Sequence, residues 1–475
     1  MVTIMSKEKQ LLKNTAIITI GKICTQFISF ILLPLYTVLL TQEDFGVVDL
    51  LNTLVSLFIP IITLQIEQAV FRYLIDVRKS YEKKRQIITT TLVIVTIQSV
   101  LYILLFGIFS PLYHNEFKWF LLFNVIICIY SSIFLQITRG LGENTHYAIG
   151  SFITASVTLF LNVVFIVFFR WGAYGMLLAS LLGNAVCCLY EIIFVRISSY
   201  IKIKSFDMEK GKELLRFSIP MIPNVVSWWI FGSSDRLIIS FFLGLGANGI
   251  YSAANKFSGL FTTIYNIFNM TWTESASLYI DSKDRKEFYS RVINIAYALF
   301  FSIFLLLIAS MPFIFPIFIK GDFGDSYYQI PILLLASIFN VVVGLVSVFY
   351  VALKKTKELA KTSTIAAIIN VILTAGLIKC LGLYAASIGT AVAYFLLMIY
   401  RIRDVKKYVE INYNIKNIVI SIISTCGIFI TYYLDNYIIN IVSLIMCICI
   451  VLWMNKDSIY YIKKFIEKKF HINTM

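Results

Sequence analysis

The sequence predicts an all-α polytopic membrane protein with about 14 transmembrane helices, arranged as two parallel-related six-helix lobes plus two C-terminal helices. Three observations predict this fold class. Of the 475 residues, 59% are hydrophobic and only 14% are charged, and the mean hydropathy is +0.83. Soluble chains carry about a quarter charged residues, so the apolar surplus must face lipid. In addition, the apolar residues form long runs, and the chain resembles itself at an offset of a little over 200 residues.

The long apolar runs define the transmembrane helices in order, with boundaries at charge clusters, prolines and glycines. At roughly 20 residues for each span, the hydrophobic content supplies on the order of 14 spans. Continuous apolar runs exclude a β-barrel, because barrel strands alternate apolar and polar residues. The predicted helices cover residues 14–40, 45–70, 87–110, 119–137, 147–169, 173–195, 217–241, 248–272, 292–319, 331–352, 363–378, 383–400, 417–434 and 437–454.

The basic residues predict the orientation of the chain. Of the 41 Lys and Arg residues, 33 fall in the two termini and in one alternating set of connections. The other side of the membrane receives only Lys118, Arg170, Lys320 and Lys379. Because cytoplasmic loops carry the excess of Lys and Arg, both termini are predicted to be cytoplasmic. The sequence therefore predicts a multi-pass protein of the cell inner (plasma) membrane.

The short connections and the composition exclude several classes of function. The longest external loop, residues 320–330, is too short to form a catalytic domain, and no GxxxxGK[ST] phosphate loop is present. A membrane-embedded acyltransferase or polymerase would need a catalytic His and an outer loop. The net charge of +15 reflects topology, so no nucleic-acid partner is expected. The cysteines are interpreted as small apolar fillers, and we predict no catalytic residue, metal, cofactor or obligate oligomer: the chain is expected to be a monomer.

An internal repeat organises the chain. The stretch from Gly46 to Asn52 opens the second predicted helix, and Gly249 to Asn255 opens the eighth, with an offset of 203 residues. Each repeat contains six helices, an even number, so both repeats enter the membrane in the same sense. The predicted domains are residues 1–200, 201–410 and 411–475, the last holding two extra helices and a basic tail. Transporters of such design bind substrate between the repeats near the bilayer midplane.

Charged side chains inside the predicted spans indicate a binding site. Each costs about 2.5 to 3.5 kcal/mol in hydrocarbon, so those that remain usually face a cavity or a partner. Lys22 lies in the first helix, Asp235 and Arg236 lie in the seventh, and Lys256 lies in the eighth. Similar depth favours a pair between Asp235 and Lys256, which leaves Arg236 or Lys22 for a ligand. Three cations against one acid predict a cavity for an anion.

Other polar residues are candidates for the same cavity or for its surroundings. Asn52 and Asn255 occupy equivalent positions of the repeat, and Arg72 lies near the cytoplasmic end of the second helix, where it can snorkel. Glu67 at that end is interpreted mainly as an interface charge. For every charged candidate the alternative is a structural ion pair that fixes the register of two helices.

The tryptophans divide into two predicted groups. Trp228 and Trp229 are adjacent in the seventh predicted helix, and they are candidates for lining a path for sugars. Trp119, Trp272 and Trp453 are interpreted as anchors at the membrane interface, because the amphipathic indole ring prefers the headgroup region.

A set of short motifs runs through the chain. Its most specific stretch is residues 217–257, with Pro220 and Pro223, then Ser234-Asp235-Arg236, then Gly249-Ile-Tyr251 and Asn255-Lys256; Arg72-Tyr73 and Arg139-Gly140 are two further motifs. This pattern resembles the polysaccharide biosynthesis and export family, the Wzx-type repeat-unit flippases of the multidrug/oligosaccharidyl-lipid/polysaccharide exporter (MOP) superfamily. The resemblance covers nearly the full chain and implies a MATE/MOP-like fold.

The resemblance also implies a substrate and partners. The substrate would be an undecaprenyl-diphosphate-linked oligosaccharide, moved from the inner to the outer leaflet for O-antigen, capsule or a similar polymer. The implied partners are this lipid-linked glycan, membrane lipids, a polysaccharide polymerase and glycosyltransferases. Two alternatives stay open. A lipid II-type flippase would have a denser charge cluster than the single Lys22 of the first helix. A MATE-like drug/cation antiporter would have a cavity dominated by acids. Proton or sodium coupling through Asp235 also stays open.

Overall fold

The computed structural model describes residues 30–112, 116–353 and 355–456, and these residues form helices and turns without a strand. The α-helices of the first part of the chain are α1 (Leu33–Leu39), α2 (Gln42–Ile62), α3 (Ile66–Asp76), α4 (Tyr81–Phe109), α5 (Lys118–Leu141), α6 (Asn144–Val163), α7 (Gly172–Phe194), α8 (Met208–Ser218) and α9 (Ile222–Phe242). Those of the remaining part are α10 (Leu245–Leu278), α11 (Arg285–Phe318), α12 (Ile330–Ala352), α13 (Thr356–Leu381), α14 (Tyr384–Val405), α15 (Ile415–Tyr433) and α16 (Tyr437–Met454).

Twelve helices in the described residues are long and apolar enough to cross a membrane, which makes the chain a multi-pass membrane protein. They correspond to the second to seventh and the ninth to fourteenth predicted spans. The eighth predicted span is α10, whose 34 residues include too many polar side chains to meet the same criterion. Most of the first predicted span, residues 14–29, lies outside the described residues.

The chain packs as two compact units, and the boundary between them follows Gly249 in the first turns of α10. The first unit contains α1 to α9, and the second contains the rest of α10 through α16. This division into two units is based on which residues pack together. The predicted domain boundaries near residues 200 and 410 are based instead on the sequence repeat, so these boundaries remain predictions.

The second predicted helix is broken into α2 and α3, which corrects the prediction of one continuous span over residues 45–70. Pro60 removes one backbone hydrogen bond shortly before the break, and Leu64 and Gln65 then adopt positive φ angles of 53° and 59°. Glu67 in the first turn of α3 is only 5% exposed and accepts hydrogen bonds from Thr63 Oγ1 (2.8 Å) and Gln65 Nε2 (3.0 Å). The interpretation of Glu67 as an interface charge is therefore wrong.

The glycines that define the repeat pack against each other's helices within the first unit. A Cβ atom on Gly46 would lie 1.9 Å from the carbonyl oxygen of Leu245, and one on Gly249 would lie 2.1 Å from that of Gln42. Gln42 and Leu245 are themselves separated by 203 positions, so the contact is reciprocal between equivalent positions of the sequence repeat. Asn248 Nδ2 also donates to the Gly46 carbonyl oxygen at 2.9 Å.

The segment between α7 and α8 is attached to α4 by hydrogen bonds. Thr89 Oγ1 donates to the carbonyl oxygen of Tyr200 (2.9 Å) and accepts from the backbone N–H of Lys202 (3.2 Å). Thr90 Oγ1 accepts from the backbone N–H of Asp207 at 3.1 Å. The side chains of two threonines thus satisfy backbone groups that no helix pairs.

In the second unit, α15 is tied to the predicted external loop. Residues Gly321–Gln329 of that loop form a 3-10 helix. Tyr432 Oη donates to the carbonyl oxygen of Tyr327 and Tyr433 Oη to that of Tyr328, both at 2.8 Å. The rings of Tyr327 and Tyr432 stack with their centroids 4.3 Å apart. Both α15 and α16 also pack against α11.

Candidate anion-binding site

An ion pair between α2 and α9 brings a predicted site residue together with one that was not predicted. Arg236 Nε lies 2.9 Å from Asp49 Oδ2, and the two side chains are only 16% and 18% exposed. Asp49 follows the first residue of α2 by seven positions, about 10 Å along the axis, and Arg236 precedes the last residue of α9 by six positions, about 9 Å. The pair therefore lies well away from the ends of both helices.

Asp235 adds a second carboxylate next to the same guanidinium. It is 4% exposed, its Oδ1 accepts from the backbone N–H of Arg236 at 2.9 Å, and the same atom lies 4.0 Å from Arg236 Nη1. Arg236 Nη1 also donates to the carbonyl oxygen of Gly232 at 3.0 Å. The expectation of one acid against three cations is wrong in the number of acids, because Asp49 raises that number to two.

Lys256 and Asn255 lie in the second unit, and both are half-buried. Lys256 follows the first residue of α10 by eleven positions, about 16 Å along the axis, which is deeper than the sequence predicts. The pairing of Lys256 with Asp235 remains a prediction. Lys22 lies outside the described residues.

Asn52 and Arg72 both belong to the first unit, but they differ in their surroundings. Asn52 is exposed and follows Asp49 by three positions on α2, so the two side chains share a face of that helix. Arg72 is also exposed, and its Nη1 pairs with Asp76 Oδ1 at 2.7 Å on the surface of α3. In the described residues, Asn52 is thus a neighbour of the buried ion pair, whereas Arg72 is engaged elsewhere.

The tryptophans differ in their surroundings, and one of them contradicts its predicted placement. Trp229 lies on α9 beside α2, and its Nε1 donates to Ser56 Oγ at 2.9 Å. This contact and the Asp49–Arg236 ion pair join the same two helices. Trp272, in contrast, is 2% exposed, and its Nε1 donates to the carbonyl oxygen of Leu345 at 3.0 Å. Trp272 is a core residue, so its interpretation as an interface anchor is wrong, whereas Trp119 and Trp453 are exposed as expected.

The motif residues Arg139 and Gly140 have visible packing roles. The Arg139 guanidinium lies 4.3 Å from the centroid of the Phe71 ring, a cation–π contact between α5 and α3. A Cβ atom on Gly140 would lie 2.8 Å from Leu74 Cβ, so only glycine permits this close approach of the two helices. Arg78 Nε donates to the Gly140 carbonyl oxygen at 2.8 Å and satisfies the end of α5.

Sequence reasoning missed a partly buried acid, Asp49, and two buried charged residues, Arg401 and Glu191. Asp49 was overlooked because a helix predicted to begin at residue 45 places it in the first turn, where acids are common. Arg401 was assigned to a basic loop because the predicted helix ended at residue 400, whereas α14 continues to Val405 and leaves Arg401 only 1% exposed. Glu191 is not among the predicted site residues, yet it is fully buried and accepts a hydrogen bond from Thr138. Extending the helix pattern by one turn would have found the first two.

Two cavities lie apart from the predicted site residues. One, of about 250 Å³, lies in the first unit between α6 and α7 and is lined largely by hydroxyl and amide side chains, including Thr158, Asn162 and Asn184. The other, of about 520 Å³, lies in the second unit among α11, α12, α14 and α15 and is almost entirely apolar.

The fold is shared with membrane transporters of known structure. The lipid II flippase MurJ in an inward closed conformation matches with a TM-score of 0.69 and 16% identity, over 96% of this chain and 100% of that chain. An inward-facing multidrug resistance MATE family transporter of the MOP superfamily matches with a TM-score of 0.67 and 14% identity, over 81% of this chain and 95% of the other. The outward-facing conformation of such a transporter matches with a TM-score of 0.53.

The fold and the buried charges thus define a multi-pass membrane protein with the fold of MATE transporters and MurJ. The family model described as polysaccharide biosynthesis protein matches residues 11–273, more than half of the chain. The chain therefore belongs to the polysaccharide biosynthesis protein family. A search of curated proteins found no match.

Proposed function

We propose that the chain is a flippase that moves undecaprenyl-diphosphate-linked oligosaccharide repeat units from the inner to the outer leaflet. The observation that carries this proposal is the guanidinium of Arg236, held deep in α9 of a protein that belongs to a polysaccharide biosynthesis family. A guanidinium in a site of low dielectric binds phosphate oxygens strongly, because it offers several N–H donors in a fixed plane. Lys256 and Lys22 would add point charges for the same diphosphate.

The mechanism follows from the physical chemistry of the substrate. The polyprenyl tail is soluble in the bilayer, so only the sugars and the diphosphate have to cross by alternating access through the protein. Asn52, which shares a face of α2 with Asp49, and the indoles of Trp228 and Trp229 on α9 suit the sugar hydroxyls and ring faces. With the cell interior negative, each negative charge that moves outward gains about 2.3 kcal/mol per 100 mV. The membrane potential can therefore assist export.

The proposed activity needs a defined orientation and a defined set of neighbours. We place the chain in the inner membrane with both termini in the cytoplasm, because of the Lys and Arg distribution. Glycosyltransferases would supply the lipid-linked glycan on the cytoplasmic side, and a polymerase would use it for O-antigen, capsule or a related polymer. The chain itself would act as a monomer and make or break no covalent bond.

Proteoliposomes test the proposal directly. A fluorescent undecaprenyl-diphosphate oligosaccharide is incorporated in both leaflets, and its exposure to a membrane-impermeant quencher is followed over time. We expect Arg236→Gln and Lys256→Gln to slow the exchange between leaflets at least about tenfold. Arg403→Gln serves as the control, because Arg403 is an exposed cation at the end of α14. Equal exchange rates for all four proteins would remove the proposed role of the two cations.

Two other functions are favoured by specific observations. The match to MurJ over 96% of this chain and 100% of that chain favours a lipid II-type flippase. The two carboxylates beside Arg236 favour a MATE-like antiporter of drugs or cations. The same vesicles separate these cases. If fluorescent lipid II exchanges between the leaflets faster than the peptide-free glycolipid, lipid II replaces the oligosaccharide as the proposed substrate. Uptake of a lipophilic cation dye without glycolipid exchange would replace the proposed class of transporter.

A further inference from the structure

We propose that Asp49 is an internal counter-ion of Arg236. Asp49 pairs with the guanidinium when no substrate is bound, and the diphosphate of the substrate displaces Asp49 from it. This inference rests on the proposed function, and it assigns to that site a residue that regulates it. The carboxylate of Asp49, which forms an ion pair with Arg236, and a phosphate group are alternative anionic partners for the same guanidinium. Binding of the substrate and formation of the ion pair would then exclude each other at Arg236 Nε.

The geometry distinguishes Asp49 from the neighbouring acid. Asp235 precedes Arg236 on the same helix, and its Oδ1 accepts from the backbone N–H of Arg236, so these two residues move together. Asp49 lies on a different helix, and its Oδ2 is 2.9 Å from Arg236 Nε. An acid on a separate helix can move away from the guanidinium when the substrate arrives, whereas Asp235 cannot.

The transport cycle provides the physical reason for a counter-ion. A carrier that releases its substrate on one side must return without it, and a buried charge without a partner is strongly unfavourable in a medium of low dielectric. Asp49 supplies that partner during the return step. A diphosphate carries more charge and more oxygen atoms than one carboxylate, so it binds the guanidinium of Arg236 in place of Asp49 when substrate is present. A lone carboxylate or a neutral sugar would not displace Asp49.

Binding measurements with purified protein in detergent test the competition, with undecaprenyl diphosphate as the probe and native mass spectrometry as the readout. We expect Asp49→Asn to bind the probe about three- to tenfold more tightly than the wild type, because the competitor is gone. Arg236→Gln should lose most of the affinity, and the double variant should bind like Arg236→Gln alone. In proteoliposomes, Asp49→Asn should exchange the glycolipid more slowly, because its return step lacks the counter-ion on α2.

A matched control removes a carboxylate from an exposed pair. Glu209 and Lys212 on α8 lie 2.7 Å apart with side chains 80% and 66% exposed, so Glu209→Gln should leave the affinity unchanged. Asp49→Ser is a second uncharged variant in case Asp49→Asn does not fold. If both Asp49 variants bind undecaprenyl diphosphate no more tightly than the wild type does, the proposal that Asp49 is a counter-ion is overturned. Unchanged affinity in Arg236→Gln would instead show that the proposed diphosphate site itself is wrong.

Discussion

At the scale of single residues, Arg401 is the buried cation with the most complete set of neutral partners. Its Nη1 donates to Ser347 Oγ at 2.5 Å, and its Nη2 donates to Ser363 Oγ at 2.7 Å and to Thr362 Oγ1 at 3.0 Å. Within the described residues it has no ion pair. Arg401, which belongs to α14, therefore joins this helix to α12 and α13 through hydrogen bonds to neutral groups.

Replacing Arg401 should destabilise the second unit. We expect Arg401→Ala to lower the free energy of unfolding by about 2–4 kcal/mol, because two buried hydroxyls and a partly buried one lose their donor and a cavity remains. Arg401→Lys should recover only part of the loss, since an ammonium cannot reproduce the planar fork of donors. Thermal unfolding in detergent provides the measurement. Arg403→Ala, an exposed arginine two positions further on α14, should melt like the wild type. Identical melting of both alanine variants would contradict a structural role for Arg401.

At the scale of helices, the crossing of α2 and α10 depends on two glycines. Gly46→Ala or Gly249→Ala would place a Cβ atom about 2 Å from a backbone oxygen, so the helices would have to separate. We expect each substitution to cost about 1–3 kcal/mol of stability, as overpacking generally does. Gly259→Ala on α10 is the control, because the space that its methyl group would occupy is open. It should raise stability slightly through helix propensity, and similar melting temperatures for all three variants would refute the crossing.

The attachment of the α7–α8 segment to α4 gives a second test at this scale. Thr89→Val removes a hydroxyl that serves Tyr200 and Lys202, and it should cost about 1–3 kcal/mol because two backbone groups lose their partner. Thr91→Val is an unusually close control. Thr91 is fully buried on the same helix and its hydroxyl has no hydrogen-bond partner among the described residues, so valine should be neutral or stabilising. Differential scanning fluorimetry in detergent measures both, and an equal loss in the two variants would contradict the role of Thr89.

At the scale of the whole molecule, the distribution of charge predicts which loops face the cytoplasm. In a background without cysteine, Lys204→Cys and Lys320→Cys place one thiol in each kind of connection, and both positions are exposed. We expect a membrane-impermeant maleimide to label position 320 in intact cells and position 204 only after lysis, because basic loops remain in the cytoplasm. Labelling of position 204 in intact cells would reverse the proposed orientation and the proposed direction of export.

Much of the fold was predictable because membrane spans are encoded locally. A run of about 20 apolar residues predicts a helix without knowledge of its neighbours, since a backbone in lipid must satisfy its own hydrogen bonds. For this reason the spans formed by α4 to α7, by α9 and by α11 to α16 agree with prediction within several residues, whereas most of α8 lies in a segment predicted to be a loop. The break between α2 and α3 was not predictable in the same way. It depends on positive φ angles at Leu64 and Gln65 and on the buried acceptor Glu67.

Only part of the candidate site could be predicted from the local sequence. The positions of Asp235 and Arg236 inside a span were evident from the sequence, because a charge in an apolar run stands out. Their partners were not, since Asp49 is separated from Arg236 by 187 positions and meets it only through the packing of α2 against α9. In the same way, the sequence paired Gly46 with Gly249 by similarity, but only the structure brings them into contact.

The sequence by itself determined that this is a helical membrane protein, where most of its spans lie, that it contains an internal repeat, and where charge enters the bilayer. These properties follow from hydropathy and periodicity, which are sums over neighbouring residues. The tertiary structure decided which acid neutralises Arg236, that Arg401 and Trp272 are buried, and that Glu67 lies at a helix break. Those properties depend on atoms that are distant along the chain, and only packing brings such atoms within a few ångströms of each other.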